Sequence, residues 1–154
     1  MVGNININKN IVIQKAELDN LNDILVLLHQ LSRPNLNDNN CFPDYTKTFN
    51  QILDNPDYYL YVASIDGKIV ATGTLLIQIN LTHNCKPYGH IENVVTDTNY
   101  RGRGIGDILI HQLISKAQQR GCYKVILNCV SKNIHFYNKC GFNQTGEVEM
   151  RITF

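Results

Sequence analysis

The 154-residue sequence has little net charge and no long apolar run, and both absences exclude classes of protein. Its 14 basic and 13 acidic side chains give a formal net charge of +1 at pH 7. Nothing global therefore draws the chain to nucleic acid or to a membrane surface, and any anion site must depend on local charge. No apolar run approaches the ~20 residues that cross a bilayer, and Met1–Asn10 lacks the basic start and apolar core of a secretory signal. We expect a cytoplasmic protein.

The spacing of a metal site is absent as well. The cysteines are an odd set without a C-x-x-C pair, and no histidine stands at a zinc-binding distance from them. We therefore expect no metal and reduced, structural thiols. Cys122, Cys129 and Cys140 lie within or beside apolar segments, where free cysteine behaves as a small hydrophobic residue. The five cysteines are Cys41, Cys85, Cys122, Cys129 and Cys140.

Apolar periodicity predicts one α/β (α+β) domain over residues 1–154. The length suits a single compact domain better than two. Strands and helices do not alternate regularly, which indicates a mixed sheet of six to seven strands flanked by about four helices. The predicted strands are Ile11–Lys15, Tyr58–Ile65, Lys68–Asn80, Tyr88–Thr96, Lys124–Cys129, Phe142–Thr145 and Glu147–Phe154. The predicted helices run from an N-cap at Asp19 to about Leu31, and over Tyr45–Leu53, Gly104–Arg120 and Asn133–Lys139.

The most informative stretch is Val94–Asp107, with the sequence VVTDTNYRGRGIGD, in which a strand ends and alternating glycines open a helix. The first turn of a helix has unpaired N–H groups, and the helix dipole adds about half a positive charge there. Glycines let the backbone approach an anion closely, and Arg101 and Arg103 add full positive charges. The segment therefore predicts a phosphate or pyrophosphate site.

Spacing separates three kinds of phosphate loop. A Walker loop requires Gly-Lys-Ser/Thr, which the sequence lacks. A Rossmann fingerprint requires G-x-G-x-x-G, but Gly102, Gly104 and Gly106 are spaced by two and Asp107 stands where the third glycine belongs. The remaining pattern, Arg101-x-x-Gly104-x-Gly106 between a strand and a helix, resembles the acetyl-CoA pyrophosphate loop of GNAT-type N-acetyltransferases.

Three further blocks resemble one GNAT subfamily, the glucosamine 6-phosphate N-acetyltransferases. They are Gly89–Val95 (GHIENVV), Gly121–Leu127 (GCYKVIL) and Asn133–Phe142 (NIHFYNKCGF). The resemblance runs from about Leu18 to the C-terminus and is dense between Gly89 and Phe142. It implies a GNAT fold, and transfer of the acetyl group of acetyl-CoA to the 2-amino group of D-glucosamine 6-phosphate. It further implies direct transfer in a ternary complex, a role in UDP-N-acetylglucosamine biosynthesis, and a homodimer whose acceptor sites draw on both subunits.

The resemblance also assigns residues to the donor. The backbone of Val94, Val95 and Thr96 would hold the thioester and the pantetheine arm. Tyr137 stands where the family places a tyrosine near the CoA sulfur, and a phenol can donate a proton to the departing thiolate. It could instead be a core aromatic beside Phe136 and Phe142. The other implied CoA contacts are Arg101, Gly102, Arg103, Gly104, Ile105, Gly106, Asp107, Asn133 as the cap of the last helix, and Lys139, which could equally be a solvated surface lysine.

On the acceptor side, an attacking amine must be neutral, so a group must accept or relay its proton. Glu92, with its neighbour Asn93, lies at the strand position where the family contacts the sugar, and Glu92 is the best carboxylate for this task. Asn128 departs from the family, which usually has an acidic residue there. An amide can bind the sugar or orient the amine, but it cannot take a proton.

The phosphate of the acceptor requires cationic or N–H donors. Lys124, together with Tyr123, matches the family's G-C-Y-K block and is the first candidate. His83 in the loop before the fourth predicted strand and Arg151 on the last predicted strand are the next candidates. Ser32, at the end of the first helix, corresponds loosely to the family's acceptor loop.

Three alternatives remain open at this point. The chain could be a GNAT enzyme for another amine, such as a polyamine, an aminoglycoside or a protein amine. It could be an acetyl-CoA-binding module without catalysis. It could also work through an acetyl-cysteine at Cys129 or Cys140, which requires an activated thiolate, although apolar surroundings would raise the pKa of either thiol.

Overall fold

The computed structural model describes residues 10–31 and 44–154. Within these ranges the sheet has five strands, which are β1 (Ile11–Lys15), β2 (Tyr58–Ile65), β3 (Lys68–Gln78), β4 (Tyr88–Thr96) and β5 (Val125–Ile126). The helices are α1 (Leu21–Leu31), α2 (Tyr45–Asp54), the single turn α3 (Thr82–Cys85), α4 (Ile105–Gln119) and α5 (Ile134–Lys139). Over the same ranges, no helix combines the length and the apolarity that a bilayer crossing requires.

The strands lie in chain order, β1-β2-β3-β4-β5. The first four are antiparallel neighbours, and β5 is parallel to β4. The hairpin between β2 and β3 turns at Asp66 and Gly67, both with positive φ, as the Asp-Gly pair predicts. The connection from β4 to β5 passes through α4, the crossover that a parallel pair of strands requires.

The central strands bury both faces because helices pack on each side of the sheet. On β2, Tyr61 and Ala63 belong to the core cluster that includes α4, whereas Leu60 and Val62 belong to the cluster that includes α1 and α2. This alternation follows from the two-residue period of a strand. At Gly73 of β3 an added Cβ would lie 3.2 Å from a methyl carbon of α4, so the helix packs close to the sheet there.

Helix α4 presents an apolar stripe to the sheet and ends where the sequence predicts. Ile105, Leu109, Leu113 and Ala117 are buried, and Gly121 follows the helix with a φ of 73°. The periodicity of Gly104–Arg120 also predicts Ile108 on this stripe, but Ile108 is exposed. The end of α4 is fastened to the start of β2 by Arg120, which donates to the Pro56 carbonyl, to the Tyr59 hydroxyl and to Asp57 (2.7 Å).

The irregular part of the sheet is the end of β4. The register between β3 and β4 shifts between Thr72 and Thr74, opposite Asn93, which has a left-handed φ of 54°. On its other side β4 pairs with β5 at only two positions, Gly89 with Val125 and His90 with Ile126. Beyond His90 the two strands diverge, so the later backbone of β4 borders a gap instead of a neighbouring strand.

The predicted fold is confirmed, but the number of strands and several element boundaries differ. The sheet has five strands among the described residues, because the predicted strands Phe142–Thr145 and Glu147–Phe154 form no ladder there and leave their backbone groups without strand partners. The expected strand Lys124–Cys129 shortens to β5 because it diverges from β4. Asp19 is not an N-cap, since it lies inside a 3-10 turn (Leu18–Asn20) that precedes α1.

Candidate active site

A cleft of about 1090 Å³ opens where β4 and β5 diverge. Its walls are the second half of β4, the glycine-rich loop with the first turn of α4, the stretch after β5, and α5, with the end of α1 at one side. The structure thus brings the predicted donor residues to one cavity. All of them line it except Arg103.

The glycine-rich loop has the geometry of an anion site at the start of α4. Gly102 and Gly104 have φ values of 75° and 77°, a conformation that glycine adopts without strain. Arg101 donates from Nε to the carbonyl oxygen of Thr96 (3.0 Å), and Arg103 donates to that of Asn99 (3.1 Å). The loop therefore carries two fixed positive charges beside the free N–H groups of the helix. Arg103 turns away from the cleft and stacks on Tyr100, 5.0 Å from the ring centre.

The turn before this loop is held by a buried carboxylate. Asp97 accepts from the backbone N–H of Asn99 (2.8 Å), and this hydrogen bond, more than any other contact, lowers the pKa of Asp97. Gln30, from the end of α1, accepts from the N–H of Thr98 (3.1 Å) and also helps to lower that pKa. Asp97 and Gln30 thus fix the entry to the glycine-rich loop, and Gln30 links that loop to α1.

Gly106 and α5 form the wall on the donor side of the cleft. A Cβ on Gly106 would lie 3.2 Å from Phe136 and 3.5 Å from Thr96, so only glycine leaves this part of the cleft open. Asn133 stands at the N-cap of α5 as expected, but its side chain makes no capping hydrogen bond, and the residue lines the cleft. Lys139 lines the same wall.

Tyr137 lies half-buried on α5, with its ring packed edge-on against Phe136 (4.9 Å between ring centres) and Phe142 (6.1 Å). Burial raises its pKa, and Cys129, Cys140 and Glu92 raise it further. The phenol is therefore protonated at neutral pH and available as a donor in the cleft. The ring packs against the core while the residue lines the cavity, so the two interpretations of Tyr137 are compatible, and its role as a proton donor stays a prediction.

The acceptor-side residues Glu92, Asn93 and Asn128 also line the cleft. The left-handed backbone of Asn93 is the local cause of the bulge in β4, and asparagine is among the few residues that adopt it readily. Asn128 follows β5 on the opposite wall, and its Nδ2 donates to Glu149 of the C-terminal tail (3.0 Å).

Three of the predicted phosphate ligands come together at the start of β4 and β5. The His83 ring stacks on Tyr123 with 4.0 Å between ring centres, and Lys124 Nζ lies 5.5 Å from the Tyr123 ring and 5.2 Å from the Tyr88 ring. This cluster, His83–Tyr88–Tyr123–Lys124, lies outside the walls of the cleft. Its Lys124 shares a sheet face with Glu92, because Tyr88, His90 and Glu92 alternate along β4 and Lys124 contacts Tyr88.

The remaining candidates lie elsewhere. Arg151 is in the C-terminal tail, where its Nε donates to Glu149 (2.8 Å), so it is not part of the lysine–tyrosine cluster. Ser32 lies outside the described residues. Among those residues, no group of three or more His, Cys, Asp and Glu side chains is arranged to hold a metal ion.

The cysteines differ from one another in environment. Cys140 is buried and donates to Asp107 (3.4 Å), and burial followed by this hydrogen bond raises the pKa of its thiol to about 12, as its apolar context predicts. Such a thiol supplies almost no thiolate at neutral pH. The expectation of an apolar site is wrong for Cys129, which is exposed on the cleft wall because β5 ends before it.

Several wall residues were not predicted. Lys132 adds a cation near Asn133, and its place just before α5 was the available signal. Gln30 had no signal in the sequence, because its contact with Thr98 joins residues 68 positions apart. Tyr100 lies directly before Arg101, and this position in the glycine-rich segment was its available signal.

Together, the splayed strands and the anion site at the start of α4 define an acetyltransferase. The chain belongs to the acetyltransferase (GNAT) family, whose sequence model matches residues 25–142. The family resemblance noted in the sequence is thereby confirmed.

Two relatives and one solved structure show which members of the family this chain is similar to. A glucosamine 6-phosphate N-acetyltransferase 1 of Dictyostelium discoideum is 40% identical over 111 residues, 70% of each chain. A glucosamine 6-phosphate N-acetyltransferase of Candida albicans is 37% identical over 113 residues, 72% of this chain and 75% of that protein. The crystal structure of glucosamine-6-phosphate N-acetyltransferase from Arabidopsis thaliana superposes with a TM-score of 0.82 at 32% identity, covering 95% of this chain and 99% of that one.

Proposed function

We propose that this chain, acting as a single domain, transfers the acetyl group of acetyl-CoA to the 2-amino group of D-glucosamine 6-phosphate. The products are N-acetyl-D-glucosamine 6-phosphate and CoA. One observation carries the proposal. Glu92 lines the cleft that contains the anion site at α4, and it also lies on the sheet face that carries Lys124. The substrates in the names of the relatives support the same acceptor.

The donor fits the cleft in one direction. Its pyrophosphate binds the N–H groups of the glycine-rich loop, with Arg101 beside them. The pantetheine arm then follows the backbone of Val94–Thr96, which borders the gap to β5. A backbone N–H there polarises the thioester carbonyl as negative charge develops on its oxygen. Lys132 and Lys139, on the opposite wall, suit the remaining phosphate.

Transfer proceeds directly between the two substrates. The neutral amine attacks the thioester carbonyl carbon, the new C–N bond forms, and the C–S bond breaks. Glu92 accepts the amine proton, directly or through water, and Tyr137 gives its proton to the departing thiolate. The raised pKa of Cys140 and the aim of its thiol at Asp107 favour this route over an acetyl-cysteine at that residue.

The acceptor lies along the sheet face between Glu92 and Lys124. Lys124 contacts Tyr88, and four steps along the strand, about 13 Å, lead from Tyr88 to Glu92. A phosphorylated hexosamine and a lysine side chain together can bridge it, with the phosphate at Lys124 and His83 and the amine at Glu92. The aromatic rings around Lys124 hold its cation without neutralising it.

The C-terminal tail supports a homodimer. Val148, Met150, Ile152 and Phe154 alternate along it and are almost fully exposed. This is the two-residue period of a strand with one apolar face, in a tail that bonds to Asn128, two residues beyond β5. A second copy of the chain, pairing with this tail, would bury both the apolar face and the open backbone. Sedimentation should give twice the mass of one chain, and Ile152→Lys should shift the measured mass toward that of a single chain.

The cytoplasmic location stays a prediction.

One assay tests the proposed activity. CoA thiol release from acetyl-CoA is followed with glucosamine 6-phosphate, glucosamine and spermidine in parallel. Release only with the phosphorylated sugar supports the proposal. Release with another amine alone identifies a different acetyltransferase, and measurable acetyl-CoA binding without release from any of the three identifies a binding module.

A further inference from the structure

The C-terminal tail brings a carboxylate to Asn128. Glu149 Oε2 accepts a hydrogen bond from Asn128 Nδ2 at 3.0 Å, between residues 21 positions apart. Arg151 donates from Nε to the other oxygen, Oε1, at 2.8 Å. The Glu149 side chain is 36% exposed whereas that of Arg151 is 74% exposed, so the carboxylate is the inner member of the pair. Asn128, the residue that departs from the family's acidic pattern, therefore has a carboxylate one hydrogen bond away.

This contact determines which way the Asn128 amide faces. An amide has one end that donates and one that accepts, and an ionised carboxylate only accepts. With Glu149 in place, Nδ2 must turn toward the tail. The acceptor end, Oδ1, then turns away from Glu149, on a residue that lines the cleft. Arg151 occupies Oε1, which leaves Oε2 for Asn128.

We propose that Glu149 is a positioning residue for acetyl transfer, and that it acts through Asn128. It holds the amide so that Oδ1 accepts a hydrogen bond from an N–H of the attacking amine. That bond turns the nitrogen lone pair toward the thioester carbonyl carbon across the cleft. The inference deepens the proposed function and rests on it, because it concerns the amine that the cleft receives.

The tail also offers a matched control for Glu149. Glu147 is a glutamate two positions earlier, in the same sequence alternation of polar residues with Val148 and Met150. Its side chain makes no hydrogen bond or ion pair with the residues that the structure describes.

The first test compares Glu149→Gln with Glu147→Gln, using the amine that the wild type acetylates. A glutamine can present either end of its own amide, so the orientation of Asn128 is no longer enforced. We expect kcat to fall about tenfold in Glu149→Gln, because a hydrogen bond to a charged group is lost, with the KM for acetyl-CoA and the melting temperature unchanged. Glu147→Gln should match the wild type.

The second test inverts the pair. In Asn128→Asp/Glu149→Gln, the glutamine amide donates to the new carboxylate, which again turns an accepting oxygen toward the cleft. We expect kcat to recover to within about threefold of the wild type. A tail that merely supports the fold would instead give additive losses and lower melting temperatures.

The outcomes separate the two proposals. An unchanged kcat in Glu149→Gln, or a double variant no better than the product of its single variants, overturns the role of Glu149 alone. Wild-type release with glucosamine or spermidine but not with the phosphorylated sugar overturns the proposed acceptor, while the Glu149 comparison is still decided on that amine. A wild type that acetylates none of the three overturns both.

Discussion

Replacing Gly104 with alanine tests the anion site at the start of α4. Gly104 has a φ of 77°, and no atom of the described residues lies within 4 Å of the position of an added Cβ, so the effect of alanine is conformational and not steric. A left-handed alanine costs about 1–2 kcal/mol, of which the stiffer unfolded chain returns about 0.4–1 kcal/mol. We expect the free energy of unfolding to fall by about 1 kcal/mol and the melting temperature to fall by about 2–4 °C.

The effect on acetyl-CoA binding should be larger than the effect on stability. If the loop relaxes toward negative φ, the N–H groups of the first turn of α4 move away from the pyrophosphate. Losing one charge-assisted hydrogen bond of about 1.5–3 kcal/mol raises the KM for acetyl-CoA about tenfold or more. The kcat at saturating acetyl-CoA should change little, because in the proposed binding mode Val94–Thr96 hold the thioester separately. The assay is thiol release at saturating acceptor over a titration of acetyl-CoA.

Gly67 provides the matched control for this experiment. Its φ is 79°, its Cβ position is equally open, and it lies in the β2–β3 hairpin, away from the cleft. Gly67→Ala should lower the melting temperature by a similar amount and leave the KM for acetyl-CoA unchanged. If Gly104→Ala loses stability while keeping the wild-type KM, the loop does not bind the pyrophosphate and the reasoning is refuted.

Three further predictions follow from the site. Tyr137→Phe keeps the ring packing and removes the proposed proton donor, so kcat should fall about a hundredfold with the melting temperature unchanged. An unaltered kcat would exclude the acid role. The control is Tyr45→Phe, at an exposed tyrosine of α2. Lys124→Ala should raise the KM for the sugar phosphate about tenfold and barely alter that for acetyl-CoA; equal effects would contradict its role as phosphate ligand. The pKa of Asp97 is lowered in the fold, so its contribution to stability is present above its unfolded pKa of about 3.9 and lost as pH falls through the folded value. Urea unfolding should therefore separate the wild type from Asp97→Ala at pH 6 and bring them together near pH 2, whereas a gap independent of pH would contradict the linkage.

The donor half of the site could be predicted because its information is local. The strand Tyr88–Thr96, the glycine-rich loop and the helix that follows are consecutive in the chain, and their turn chemistry and periodicity specify one geometry. Every predicted donor residue but Arg103 lines the cleft. Arg103 deviates because the neighbouring Tyr100 ring and the Asn99 carbonyl give its guanidinium a closer partner.

The acceptor half was harder to predict because its contacts join distant parts of the chain. Nothing in the sequence around Gln30 indicates that its side chain reaches Thr98, and nothing around Asn128 indicates Glu149. Alternation misled in the tail. It predicts a strand over Glu147–Phe154, but the described residues form no strand there, because the pattern alone does not supply the neighbouring strand that such a segment needs.

The way in which Arg101 and Arg103 are held has a consequence for how the cleft responds to salt. Both guanidinium groups donate to neutral carbonyl oxygens, at Thr96 and Asn99, and neither forms an ion pair with a carboxylate of residues 10–31 or 44–154, so within these ranges their charges are fixed in place without a paired anion. Arginine stays charged across the whole working pH range, and the Debye length shrinks from about 10 Å at 0.1 M salt to about 3 Å at 1 M. The positive field that draws a polyanionic carrier to the loop should thus be insensitive to pH but sensitive to ionic strength.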